Sequence, residues 1–366
     1  MGTPRSTIER NERIPDTSLA PASPGTAGSS RPSETGVHGY RSLVSARTRT
    51  IVVVASLALV VGATVAGITA ATSSDPAGVV AEGPKARAGA PPLSLDLGVR
   101  VDPEAVDLRE GQRLYEAGNR AAAEKLFARH DSLEARIGAS FSRWPDGTVA
   151  RLTQLSGLHP KSAAVQLNLG IAQFWAGEGG SKEAWQAAAD LEPDTAYAVT
   201  AGNLLHPDFA RNLPAFVPVA EAPSAIRRLA PPAQFAALER RARRGSTADR
   251  LFYGVALQRL GRQRSAERVY AEAARLEPGN PEARVAAAVG LFDKAQPARA
   301  FSQLGPLSRS FPKAATVRFH LGLLLLWSGQ VKEARRQLRL VQTVDPGSPL
   351  AGVAKKYLDE LRAAGI

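Results

Sequence analysis

The side chains best suited to bind a metal or move a proton are five histidines, His38, His130, His159, His206 and His320. None lies at metal-ligand spacing from another, and no HExxH pair occurs. The chain has no cysteine, which excludes a disulfide framework, a thiol nucleophile, a thiolate zinc site and an iron–sulfur cluster. There is no GxxxxGK[ST] phosphate loop, no strand followed by GxGxxG and no GxSxG nucleophile turn. Carboxylates such as Glu267, Glu272 and Glu333 fall at helical spacing beside arginines, the pattern of solvated faces with i, i+4 pairs. A catalytic site needs convergent polar groups, and none is visible. The sequence therefore reads as a non-enzyme that calls for no cofactor and no metal.

Charge offers a second kind of chemistry. Net charge is +12, from 46 basic and 34 acidic residues. A dense cluster comprises Arg227, Arg228, Arg240, Arg241, Arg243 and Arg244. Such a patch suits an acidic partner, an anionic polymer or lipid headgroups; the alternative is a solvated basic helix in an arginine-rich protein. Nucleic acid is disfavoured, because only Phe235 interleaves with these arginines.

These groups must be carried by something, and composition narrows what. Apolar residues make up 44 % of the chain but aromatics only 6 %, so the core must be built mostly of Ala, Leu and Val. That composition favours close helix–helix packing. Between Arg49 and Asp75 no side chain is charged. The run 51–71, IVVVASLALVVGATVAGITAA, would span roughly 31 Å as a helix, about one hydrocarbon core. Some 50 residues precede it and it exceeds the usual apolar core of a signal peptide, so it reads as an uncleaved single-pass anchor. Arg31, Arg41, Arg47 and Arg49 precede the span, whereas Lys85 and Arg87 after it are offset by Asp75 and Glu82. The positive-inside bias then puts the N-terminus in the cytoplasm and the bulk of the chain outside it. Gly62 and Ala66, four apart, would let two such spans pair, or are merely tolerated in a small-residue span. Residues 1–50 read as a disordered cytoplasmic tail and 72–103, rich in Gly, Pro and Ala, as a flexible stalk.

Downstream the chain repeats. Gly254 and Leu257 share a helix, Gly261 marks a turn, Ala266, Tyr270 and Ala273 form one face of a second helix, and Pro278 stops it. At +34, Leu291, Ala300, Leu304, Leu307 and Pro312 fall in phase; at +68, so do Gly322, Leu325, Gly329, Ala334, Leu338, Val341 and Pro346. The middle copy has Ala288 for the first glycine and a turn at Lys294-Ala295-Gln296-Pro297. On these residues the chain resembles the tetratricopeptide repeat (TPR), a helix–turn–helix unit. A further copy spans about 163–196 (Leu169, Gly170, Gly177, Trp185, Ala188, Pro193). Another spans 104–131 (Gly111, Leu114, Gly118, Ala123, Phe127), with a degenerate unit at 132–160. The expectation is an all-α, TPR-like helical-hairpin solenoid. It has N-terminal degenerate repeats at 104–196, an interruption at 197–246, three in-phase repeats at 247–348 and a capping helix at 349–366, preceded by the disordered tail and one transmembrane helix.

The resemblance implies that the first helices of successive units line a groove that grips a protein or peptide partner. Its expected side chains are Leu251, Val255, Gln258, Val285, Val289, Phe292, Phe319, Leu323, Leu326 and Trp327. Exposed, that apolar stripe would be a binding site; covered, it is core. His320, on the same helix as Phe319, is either packed or solvent-facing. In 207–232, Pro207, Pro214, Pro218, Pro223, Pro231 and Pro232 exclude a continuous helix, yet Phe209, Leu213, Phe216 and Val217 are too apolar for free linker. This segment either lies in the groove or packs as a loop on the outer edge. The functional expectation is a membrane-tethered, non-catalytic scaffold for protein–protein interaction at the cell membrane, the alternative being an electrostatic binder acting through the arginine cluster.

Overall fold

The structure, a computed structural model, describes residues 85–365. The expected tail (1–50), membrane span (51–71) and first part of the stalk (72–84) lie outside the described residues. Among the described residues there is no strand, and no helix is long and apolar enough to cross a membrane.

The helices form two arrays of the same plan. In the first, α1 (Pro103–Glu116) pairs with α2 (Arg120–Phe127), α3 (Leu133–Ser142) with α4 (Thr148–Leu158), and α5 (Ala163–Ala176) with α6 (Ser181–Leu191). A single helix, α7 (Ala196–Leu205), closes it. After a mostly extended stretch with a short turn of helix, α8 (Ser224–Arg227), the chain enters α9 (Pro231–Arg244), which packs on α10. The second array pairs α10 (Thr247–Arg259) with α11 (Gln263–Leu276), α12 (Pro281–Gly290) with α13 (Ala298–Ser310), and α14 (Ala315–Trp327) with α15 (Val331–Val344). It ends on α16 (Pro349–Ala363). First helices also touch the first helix of the next unit, as α1 does α3 and α12 does α14, so each array is a TPR-like solenoid.

Local signals account for the boundaries. Asp102, Asn119, Ser132, Ser162, Thr195, Ser246, Asn280 and Ser348 cap helix starts with side-chain oxygens, Ser246 and Asp249 making a reciprocal capping box. Gly261 and Gly329 take φ of 70° and 72°, the left-handed turn that joins the helices of a pair. Pro231 and Pro232 open α9 where a missing N–H costs nothing.

Packing within each hairpin is an interlock of a small residue and a large one. A Cβ on Gly170 would lie 2.6 Å from Trp185 Cδ1, and one on Gly254 would overlap the Tyr270 ring. Ala123, Ala266, Ala300 and Ala334 are fully buried, as are Phe127, Tyr270, Leu304 and Leu338. On α16, Leu350, Ala351, Ala354, Tyr357, Leu358 and Leu361 cover the last apolar face.

Each array has its own apolar cluster, one drawn from residues 93–201 and the other from 210–361. Polar contacts help join them. The Asp194 carboxylate accepts the Ser265 N–H at 3.0 Å and its hydroxyl at 2.6 Å, and the Asp194 carbonyl accepts from Arg262 at 3.0 Å.

Two expectations need correction. From Pro91 the stalk is docked: Pro91, Leu93 and Leu97 are buried, because alternate apolar residues find a face to cover. The interruption also begins later than expected. Residues 196–205 form α7, which covers the end of the first array without a partner helix of its own and so falls outside the repeat period.

The interlock predicts an asymmetry. Gly254→Ala should cost more than about 2 kcal/mol by forcing apart α10 and α11. Gly352→Ala, on an exposed face of α16 with nothing within 4 Å, should be neutral or stabilising by up to about 1 kcal/mol. Denaturant midpoints of the two variants compare them directly.

Candidate functional site

The first helices of each array present polar groups toward an extended stretch of the chain itself. In the second array the occupant is residues 209–219. Phe216, 1 % exposed, is its anchor. Its ring stacks on His320 (centroids 5.0 Å apart, planes 20° apart) and meets Tyr270 edge-on at 5.5 Å. Three acceptors, one from each of the three first helices, take backbone N–H groups of the segment. Gln258 Oε1 on α10 accepts from Phe216 at 3.0 Å, His320 Nε2 on α14 from Val217 at 2.9 Å, and Glu282 Oε1 on α12 from Val219 at 2.6 Å. Pro214 and Pro218 bring no N–H to satisfy. The bonds therefore read the extended backbone, while the aromatic pocket reads one side chain.

The acceptors are themselves held. Gln258 Oε1 also accepts the Tyr270 hydroxyl at 2.9 Å. His320 is wholly buried, and its Nδ1 lies 2.7 Å from the Thr316 carbonyl. Nδ1 must therefore carry the proton, and Nε2 is the acceptor for Val217. Burial pushes His320 down to about 4 and raises Glu282 above the usual carboxylate range. Ahead of Phe216, the Asn203 carboxamide oxygen accepts the Asn212 N–H at 2.8 Å and the Lys294 ammonium at 2.6 Å. Lys294, in the middle unit's turn, is buried, which lowers it to about 8.

The first array holds residues 85–98 by the same means. Asn168, wholly buried on α5, grips both backbone polar groups of one residue: its Oδ1 accepts the Ser94 N–H at 3.1 Å and its Nδ2 donates to the Ser94 carbonyl at 2.9 Å. Tyr115 on α1 donates to the Pro91 carbonyl at 2.6 Å, and Tyr197 on α7 accepts the Asp96 N–H at 2.9 Å. Trp144, beyond α3, donates to the Gly89 carbonyl at 3.1 Å, and Arg87 lies 4.0 Å over the Phe174 ring.

The two grooves use matching positions. Tyr115 and Gln258 each follow the small residue of their unit, Gly111 and Gly254, by four; Asn168 and His320 each precede theirs, Gly170 and Gly322, by two. Both pairs contact the extended segment from the first and third hairpins respectively.

Of the residues expected to line a groove, Gln258 bonds the chain's own segment and the others are core or packed against the core. Leu251, Val285, Val289, Phe292, Phe319, Leu323, Leu326 and Trp327 are buried in the cluster that contains Phe216; Val255 packs against it and is half-buried, as is Gln258. Of the expected basic patch, Arg227 pairs with Glu221 at 2.8 Å, Arg241 with Asp249 at 2.6 Å and Arg243 with Glu239 at 2.8 Å. Arg228, Arg240 and Arg244 are exposed and make no ion pair with a described carboxylate. Among the described residues no group of three or more His, Asp or Glu is placed to hold a metal.

Sequence reasoning missed Tyr115, Asn168, Tyr197, Glu282 and the clamping role of His320. For Asn168 a signal existed: it is a lone amide in the otherwise apolar middle of α5, where a buried polar group must find a partner.

No family model matches the chain. No curated protein matches it either. Among solved structures, a tetratricopeptide repeat protein from Parabacteroides merdae aligns at 13 % identity over 71 % of this chain and 98 % of that one, with a TM-score of 0.31. The APC/C hetero-tetramer Cut9–Hcn1 aligns at 14 % identity over 70 % of this chain and 56 % of that one, with a TM-score of 0.24. Both superpositions are loose, and the architecture rests on the helical pairs described above.

Removing an anchor should free its segment. Phe216→Ala should cost about 3 kcal/mol and open 207–223 to limited proteolysis; Asn168→Ala should cost about 2 kcal/mol and expose 85–98 instead. Mapping the first cleavage site by mass spectrometry reads each effect.

Proposed function

We propose that the chain is a membrane-tethered interaction scaffold that binds a protein partner as an extended segment along its first-helix grooves, without catalysis. The observation that carries this reading is that Gln258, Glu282 and His320 bond to backbone N–H groups beside a single aromatic pocket. A surface that recognises backbone and one anchor accepts any extended peptide with matching spacing. The segment 209–219 occupies it in cis at high effective concentration, so a partner acts by competing with it.

The tether is residues 51–71, with the N-terminus cytoplasmic and the arrays outside the cytoplasm. With Arg87 bonded to the Trp175 carbonyl and the chain buried from Pro91, residues 72–86 could reach at most ~50 Å even if fully extended. The arrays then work close to the bilayer.

Charge favours a second reading. Residues 101–205 hold 10 basic and 14 acidic side chains, whereas 206–366 hold 26 and 13. The second array, with Arg228, Arg240 and Arg244 unengaged by carboxylates, would attract an anionic polymer or lipid surface.

A labelled peptide of the sequence 209–221 separates the two. It should bind full-length Phe216→Ala with little dependence on salt and bind the unaltered chain far more weakly. Reversing Arg240, Arg241, Arg243 and Arg244 to Glu should leave that binding unchanged. Absence of peptide binding, together with salt-sensitive capture of anionic vesicles that the reversal abolishes, would replace the first reading with the second. Protease added outside intact cells should reach 101–366 and spare 1–40.

A further inference from the structure

We infer that residues 209–219 are a displaceable strap whose release from the second groove is coupled to protonation of His320, while the strap of the first array is not so coupled. The inference rests on the groove reading above and adds what opens the groove. Its basis is a hydrogen-bond count. The imidazole has two nitrogens, and the docked strap uses both in fixed senses. Nδ1–H faces the Thr316 carbonyl at 2.7 Å, and Nε2 must offer a lone pair to Val217 N–H at 2.9 Å. A proton on Nε2 sets N–H against N–H at the centre of the contact and charges a ring stacked under Phe216. The docked state therefore excludes the proton, and the released state, with the ring open to water, accepts it.

No charge nearby offsets this. Arg318, on the same helix, turns to the Ser308 carbonyl and the Gln337 side chain. From α15 the residues packed inward are Ala334, Gln337, Leu338 and Val341, and from α13 Ala300, Leu304 and Leu307. The other titratable groups on the surrounding elements do not shift His320, which responds to burial and the Thr316 carbonyl. They include Asp249, Arg250, Tyr253 and Arg259 on α10 and the Arg, Lys, Glu and Asp side chains of α11, α12 and α16. Burial raises Tyr270 on α11, Glu282 on α12, and Tyr357 and Glu360 on α16, so each holds its neutral form more strongly. Glu282 accepts the next strap bond, to Val219, and because burial raises it, its own protonation does not drive release. Asn168, at the matching position of the first array, has no proton to gain.

The sign follows directly. His320 sits at about 4 when docked against 6.5 free, so docking is fully favoured above about pH 6.5 and weakens as pH falls toward 4. Between pH 7.5 and 5 the released fraction should rise about 30-fold.

Amide hydrogen exchange on the full-length chain tests this, with rates corrected for intrinsic pH dependence. Protection of Val217 and Val219 should drop about 30-fold more than that of Ser94 and Asp96 between pH 7.5 and 5. An equal or smaller drop overturns the coupling. His320→Asn, which copies the first array, should remove the difference; should that variant fail to fold, Glu282→Gln in an otherwise unaltered chain should retain most of it. Full retention in a folded His320→Asn chain also overturns the coupling. The labelled 209–221 peptide keeps this separate from the groove reading. Release at pH 5 without capture of the peptide by full-length Phe216→Ala at pH 7.5 sustains the coupling and defeats the groove reading; release together with that capture, the capture weakening at pH 5, sustains both.

Discussion

The fold depends on a steric interlock: a residue with little or no side chain on the first helix of a pair faces a bulky one on the second. Phe127 lies against Gly111 and Gly138, Trp185 against Gly170, Tyr270 against Gly254 and Leu338 against Gly322. Where backbone meets side chain this closely, the two helices can adopt essentially one spacing. Repeating that spacing aligns the first helices along one side of each array. The grooves are a consequence of this alignment, because no single unit encloses one. Tyr270 ties the interlock to the site, its ring filling the space over Gly254, its edge meeting Phe216 and its hydroxyl fixing Gln258.

Grooves lined by Val, Leu and Phe carry a cost when bare, and both are covered from within. Each cover is a stretch without helix, placed just upstream of the array it fills, or of the helix that leads into it, and bonded through its backbone. The pairing of Tyr115 with Gln258, and of Asn168 with His320, at matching positions shows one arrangement used twice. The differences lie in strength and control. Asn168 satisfies both backbone polar groups of Ser94 with a neutral amide, whereas the second array relies on an imidazole and a carboxylate that both change state with pH.

The two arrays also differ in sign. The surplus of acidic groups before residue 206 and of basic groups after it places the positive field of the protein on the second array. The cores remain separate, and Asp194, Ser265 and Arg262 join them through charge-assisted bonds. The arginines on α9 are partly neutralised locally, by Glu239 and Asp249, so the field arises from the array as a whole and not from that cluster alone.

Helix identity was legible in the residues alone wherever a steric demand is local. The phase of Gly254, Ala266 and Tyr270 and its recurrence 34 and 68 residues later, the turns at Gly261 and Gly329, and the closing helix at 349–366 all follow from short-range periodicity and backbone preference. The same reasoning marked 207–232 as apolar and non-helical but left two places for it, and it took 72–103 as free chain. Tertiary structure decided both, because a docked segment is defined by contacts far away in sequence. Val217 meets His320 across 103 residues, Ser94 meets Asn168 across 74, and Asp96 meets Tyr197 across 101. A groove residue and a core residue look alike in composition. Only the fold, by bringing three helices to one face and a distant extended segment across them, determines which atoms meet.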